Sequence, residues 1–278
     1  MEILQNYYGL EIIAEAGCNH GGDLETALEM VRTAKSCGAD TIKFQSFIPE
    51  KLVNAEDVIE WCKKSQLSYQ DHAAIIEECE REDINPLFSA FDTNSLGMLK
   101  TLGVESIKVP SGQVFNQDIL KLMATYDLRV YLSTGMCSMA QVRKSMNTLH
   151  SYGLDTDRIV VMQCTTAYPA PHSDANLLVL ERYREEFHTE VGYSDHTLGW
   201  AASIAAVALG ATVIEKHFCL NNQQGPDICV SLTPVEFRMM VNHLHEARAA
   251  RGTHIKRPRQ CEQKMFKRRD YGDAHELR

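Results

Sequence analysis

Short apolar or β-branched runs alternate with longer segments of helical period along nearly the whole chain. The strand-like runs are residues 11–17, 41–46, 86–91, 106–110, 129–135, 158–164, 190–195 and 212–218. Amphipathic segments separate them at 24–37, 68–82, 116–125, 139–151, 176–187 and 198–209, and 233–251 follows the last run. The punctuation agrees with this division. Thr233-Pro234-Val235-Glu236 supplies an N-cap, a proline at the first helical position and a glutamate at the third, the pattern of a capping box. Gly38, Gly103, Gly153 and Gly210 stand where helices end before the next strand.

Eight strand–helix units in roughly 240 residues predict a single (β/α)8 TIM barrel, a fold of typically about 250 residues. The barrel is expected over 1–252, with a linker-like tail over 253–278. An open doubly wound sheet is the alternative. It would more often show a GxGxxG turn after the first strand, and Gly17-Cys18-Asn19-His20-Gly21-Gly22 is not one.

A barrel gathers its active site at the C-terminal ends of its strands, and the polar residues concentrate there. Glu15, Asn19 and His20 close the first strand, Lys43 and Gln45 the second, Ser89 and Asp92 the third, and Lys108, Ser111 and Gln113 the fourth. Ser133 and Thr134 close the fifth, Thr165, Thr166 and Tyr168 the sixth, Ser194, Asp195 and His196 the seventh, and Glu215 and His217 the eighth.

A period of two puts Lys43 with Gln45, Ser194 with His196 and Glu215 with His217 on shared strand faces. Two imidazoles on adjacent strands can share a divalent cation, completed by carboxylates or water. Lys43 and Lys108 offer positive charge to an anionic substrate, and the serines offer neutral donors. Each feature has a plainer reading: Glu15 pairing with Lys43 as a structural ion pair, and the serines serving turns.

Composition narrows the class further. The 44% hydrophobic and 23% charged residues are those of a soluble globular protein, and no apolar run nears the ~18 residues of a membrane span. The first six residues lack a basic, then apolar, leader, so cytoplasmic residence is expected. Nine cysteines without a CxxC pair read as reduced thiols, mostly in the core. A net charge of −9 argues against nucleic acid as a partner. The basic run Lys256, Arg257, Arg259, Lys264, Lys267, Arg268 and Arg269 reads as a solvated linker.

The words at these strand ends resemble the N-acetylneuraminate (sialic acid) synthase family. They are IIAEAGCNHGGDLETALEMVRTAKSCGADTIKFQSF at 12–47, IKVPSGQ at 107–113, LSTGM at 132–136, CTTAYPAP at 164–171, GYSDHTLG at 192–199 and ALGATVIEKHF at 208–218. The resemblance implies an enzyme that condenses phosphoenolpyruvate with a sugar aldehyde to a 3-deoxy-2-keto sugar acid. His196 and His217 would hold the metal, with Mn(II) first and Mg(II) or Co(II) as alternatives. Lys43, Ser89, Lys108, Ser111, Ser133 and Ser194 match phosphoenolpyruvate positions. Gln45, Tyr168 and Asp227 match sugar positions, Glu15 matches the family's essential acid, and Asp195 joins the substrate-binding candidates. A homodimer is the implied assembly.

The match has departures. Family members generally carry a small antifreeze-like C-terminal domain that lends a sugar-binding arginine across a dimer, and the 278 residues do not include it. Gln113 stands where a sugar-binding glutamate is common, and Ser89-Ala90-Phe91 and Thr166 replace Ser-Thr-Pro-Phe and asparagine on the phosphoenolpyruvate side. A 3-deoxy-octulosonate or heptulosonate phosphate-type synthase and a non-catalytic sugar- or partner-binding barrel are the alternatives.

Overall fold

The computed structural model describes residues 9–52, 59–221 and 223–268; residues 1–6, read for a leader, and Arg269 of the basic run lie outside them. Eight parallel strands close in sequential order into a barrel. They are β1 (Glu11–Gly17), β2 (Thr41–Ser46), β3 (Asn85–Ala90), β4 (Ser106–Val109), β5 (Arg129–Ser133), β6 (Ile159–Cys164), β7 (Glu190–Asp195) and β8 (Val213–His217). The expected ends differ from these by at most two residues.

Around the strands run α1 (Leu24–Ser36), α2 (Ile59–Ser65), α3 (Tyr69–Arg81), α4 (Thr93–Thr101), α5 (Gln117–Thr125), α6 (Met139–Ser151), α7 (Val179–Phe187), α8 (Ala201–Ala208) and α9 (Pro234–Arg251). The capping box at α9 is formed, with the Thr233 N–H donating to Glu236 Oε2 at 2.9 Å. The four glycines predicted after helices all have positive φ, from +82° to +99°. Beyond α9 the described part of the tail is exposed through Phe266 and includes a 3-10 turn at Gln260–Arg268.

Four helical expectations need correction, the first being α2, which no predicted segment covers. α7 starts at Val179 instead of 176 because Asn176 has φ +48°, which no right-handed helix accommodates. α8 starts at Ala201 instead of 198 because Gly199 has φ +65°. α4 has no counterpart among the predicted segments; Asp92 caps it, Oδ1 accepting from the Asn94 and Ser95 N–H groups at 2.9 Å, so this strand-end acid is structural.

The inward side chains stack in layers. Lowest is Glu11, whose carboxylate accepts from the Tyr131 hydroxyl at 2.8 Å and the Thr41 hydroxyl at 2.8 Å. Ile13, Leu87, Tyr131, Val160, Met162 and Val213 form one apolar cluster above it. Gly192 belongs to this level, since a Cβ there would stand 3.0 Å from the Val213 backbone oxygen and 3.1 Å from Met162 Cγ. Above the apolar layer the interior becomes charged. A larger core fills the space between strands and helices.

All nine cysteines are free, and five of them are buried. Among the described residues no helix is long and apolar enough to cross a membrane.

Candidate active site

Strand register dictates which side chains meet. Glu15 on β1 lies level with Lys43 on β2 and with His217 on β8, Ser89 is level with Lys108, and Ser194 with Glu215. All of these side chains are buried. Lys43 Nζ stands 3.0 Å from Glu15 Oε2, 3.1 Å from Ser89 Oγ and 3.5 Å from Glu215 Oε1. Lys108 reaches across the barrel to donate to Glu215 Oε1, which also accepts from Ser194 Oγ at 2.9 Å. Gln45 Nε2 donates to Glu15 Oε1 at 3.0 Å.

The two carboxylates experience opposite fields. Burial raises the Glu15 pKa, and the Lys43 ammonium offsets this only in part while Glu215 adds to it. Burial acts on Glu215 too, but Lys108 and Lys43 together hold it far below the usual carboxylate range. Glu215 is therefore a fixed anion and Glu15 a group able to exchange a proton. Burial tends to lower the pKa of Lys43, yet Glu15 and Glu215 raise it overall; burial lowers that of Lys108, with Glu215 opposing.

His196 and His217 face each other with ring centroids 5.3 Å apart, and Tyr168 covers them at 4.2 and 5.8 Å. His196 Nδ1 lies 2.8 Å from the Thr165 carbonyl, which can only accept. Nδ1 thus carries a proton; burial lowers the pKa of the ring, but Cys164 and the Thr165 carbonyl raise it overall, and Nε2 offers a lone pair whenever the ring is neutral. His217 is pushed well below the usual histidine pKa by burial, then by His196 and Lys43, and is neutral. Its Nδ1 is buried without a hydrogen-bond partner, 3.9 Å from Asp227 Oδ2. Two neutral-capable imidazoles with open lone pairs fit a divalent metal. Among the described residues no group of three His, Cys, Asp or Glu side chains could hold one, so substrate or water oxygens would fill the remaining positions.

Ser111, Gly135 and Thr166 form a hydroxyl cluster beyond the ends of β4, β5 and β6. The Gly135 N–H donates to Ser111 Oγ at 3.0 Å, and a Cβ on Gly135 would collide with Thr166 Oγ1 and stand 2.7 Å from Ser111 Oγ. Ser133 ends β5 on the inward face and is buried. Gln113 is partly committed elsewhere, its Oε1 accepting from Asn116 Nδ2 at 2.8 Å. Cys164 lies 3.8 Å from His196 Nδ1; burial would raise its thiol, but His196 and Lys108 bring it down to about 7.

The structure removes Asp195 from the substrate-binding candidates. It alternates with Ser194 and His196 and so points outward from the barrel, where its oxygens accept from Thr197 and Ser203. Sequence reasoning places Glu215 at the mouth without a role, and it proves to be the counter-ion of both lysines. Its shared face with His217 is the available signal. Thr134 bonds the Met162 carbonyl and Tyr183, and is structural.

A closed barrel whose mouth joins two buried lysines, two unlike carboxylates and an imidazole pair defines a (β/α)8-barrel enzyme acting on an anion. The chain belongs to the NeuB family, which matches residues 30–256. It is 38% identical over 269 residues to N,N'-diacetyllegionaminic acid synthase of Campylobacter jejuni, covering 91% of this chain and 80% of the relative. It is 33% identical over 257 residues to a pseudaminic acid synthase of the same species, covering 87% and 74%. The solved N-acetylneuraminic acid (sialic acid) synthetase of Leptospira borgpetersenii, in complex with citrate, superposes with a TM-score of 0.86 at 30% identity, over 93% of this chain and 90% of that one.

Proposed function

We propose that the protein condenses phosphoenolpyruvate with the aldehyde of an N-acylated amino sugar, giving a 3-deoxy-2-keto nonulosonic acid and phosphate. One observation carries this reading: two buried lysines ion-paired with two buried carboxylates, next to an imidazole pair. Family membership and the names of the relatives support the product class.

Lys43 and Lys108 hold the carboxylate and phosphate charges of phosphoenolpyruvate. Ser111, Thr166 and the Gly135 N–H face the phosphate oxygens, with Ser89, Ser133 and Ser194 as further donors. Gln45, Gln113, Tyr168 and Asp227 form the sugar side. A divalent metal on His196 and His217, with Mn(II) preferred over Mg(II) or Co(II), supplies polarisation of the aldehyde oxygen when bound. C3 of phosphoenolpyruvate bonds to the aldehyde carbon, and the electron deficiency left at C2 is filled by water. Glu15 accepts a proton from that water. The tetrahedral C2 then expels phosphate by C–O cleavage. Of the two water protons, one ends on the new hydroxyl and the other leaves with phosphate.

The test is phosphate release from phosphoenolpyruvate with Mn(II) and a panel of mono- and di-N-acylated hexosamines, with product masses determined. A product of mass acceptor plus phosphoenolpyruvate plus water minus phosphoric acid, lost in His196→Ala and His217→Ala, is expected. Absence of product from every acceptor, with folded and metal-loaded protein, refutes the proposal.

A further inference from the structure

The two strands that carry the imidazoles also carry an ion pair on their outer faces. Asp195 on β7 and Lys216 on β8 are register partners, and they are 1% and 0% exposed. Their strand neighbours on the same faces, Val191, Tyr193 and Ile214, belong to the apolar core. A buried pair in such a layer bears a desolvation cost that two apolar side chains avoid.

The contacts of the pair converge on the turn after β7. Asp195 Oδ1 accepts from the Thr197 N–H and hydroxyl, both at 2.8 Å, and Oδ2 accepts from Ser203 Oγ on α8 at 2.6 Å. Lys216 Nζ lies 3.5 Å from Asp195 Oδ1 and donates to the Thr197 carbonyl. Between the two tied residues stands His196. Its own carbonyl accepts from the Ala170 N–H at 2.9 Å, and its Nδ1 meets the Thr165 carbonyl.

We infer that Asp195 and Lys216 are positioning residues that fix the 195–197 turn from behind, so that His196 presents Nε2 to the mouth beside His217. Outer groups that orient a metal-binding histidine characteristically matter 10–100-fold for affinity or activity. Neither residue touches substrate. The inference rests on the reading that the imidazole pair works at the mouth.

The informative variant is Asp195→Asn with Lys216→Met, which removes both charges while the introduced amide retains an acceptor for the Thr197 N–H. Imidazole 15N chemical shifts of metal-free protein are expected to report one His196 tautomer in the parent and averaged tautomers in the variant. Calorimetric Mn(II) affinity should weaken about 10–100-fold. kcat should fall comparably with the KM for phosphoenolpyruvate unchanged, and Lys216→Arg alone should stay near the parent. Parental His196 shifts and Mn(II) affinity in the variant, even with reduced thermal stability, overturn the inference. If the parent itself binds no Mn(II), the metal part of the proposed reaction fails, while the imidazole shifts still decide this one. Lys216→Met alone, in which Asp195 keeps its donors from Thr197 and Ser203 and can take up a proton, gives the same readout where the double variant does not fold.

Discussion

Glu215→Gln isolates the charge that holds the mouth together. The amide keeps the shape and can still accept from Ser194, but Lys108 and Lys43 lose their shared anion and remain buried, Lys43 beside Glu15. At 3.5 Å, the Lys43–Glu215 attraction alone is worth about 5 kcal/mol gross in an effective dielectric of about 20. Removing one partner of a buried pair costs about 3–5 kcal/mol net. At roughly 2–4 °C per kcal/mol for a domain of this size, ligand-free unfolding should fall by roughly 6–20 °C. Phosphoenolpyruvate brings replacement negative charge to the lysines, so saturating ligand should close more than half of that gap. Its affinity by calorimetry should be at least that of the parent. Equal loss of stability with and without phosphoenolpyruvate, together with weaker binding, would refute the counter-ion role and make Glu215 a substrate contact.

Glu15 titrates above the usual glutamate value of about 4.3, so kcat should rise through an acid limb above that pH. In Glu215→Gln the limb should move to lower pH, because Glu15 loses a repelling neighbour; pH–rate profiles of the two proteins check this. The carboxylates act oppositely on stability. The contribution of Glu215, whose pKa is depressed, is present above pH ~4.3 and lost as pH falls through its lower folded value. That of Glu15 is full below ~4.3 and lost as pH rises through its raised one, which charge-variant melts across pH resolve. Gly135→Ala should raise the KM for phosphoenolpyruvate at least about tenfold, since the added methyl enters the space between Ser111 and Thr166. An unchanged KM in steady-state kinetics would remove Ser111 and Thr166 from the phosphate site.

The barrel is legible in the sequence because its signals are local. Each strand is a short buried run, and inward residues follow from a period of two once one of them is fixed. The same period places Asp195 outside. Adjacency to Ser194 and His196 groups it with them, where alternation is the better guide. Helix starts fail at Asn176 and Gly199, since a left-handed backbone residue is not visible in apolar spacing. α4 has a weak apolar stripe, and only its cap, Asp92, announces it. The role of Glu215 needs closure of the barrel, because Lys108 lies 107 residues away in sequence. Field, unlike periodicity, is a property of the assembled mouth.

The barrel is a blind well. Glu11, Tyr131 and the apolar layer stop its floor, so ligands share one doorway. The lysines lie deep, each about 3% to 4% exposed, whereas Tyr168 stands at the rim with 46% of its surface free. A molecule seated on Lys43 and Lys108 must arrive before one lying over the imidazoles and Tyr168. For the proposed reaction this difference in depth predicts ordered entry, the anion before the sugar, so excess acceptor should slow turnover in competition with phosphoenolpyruvate.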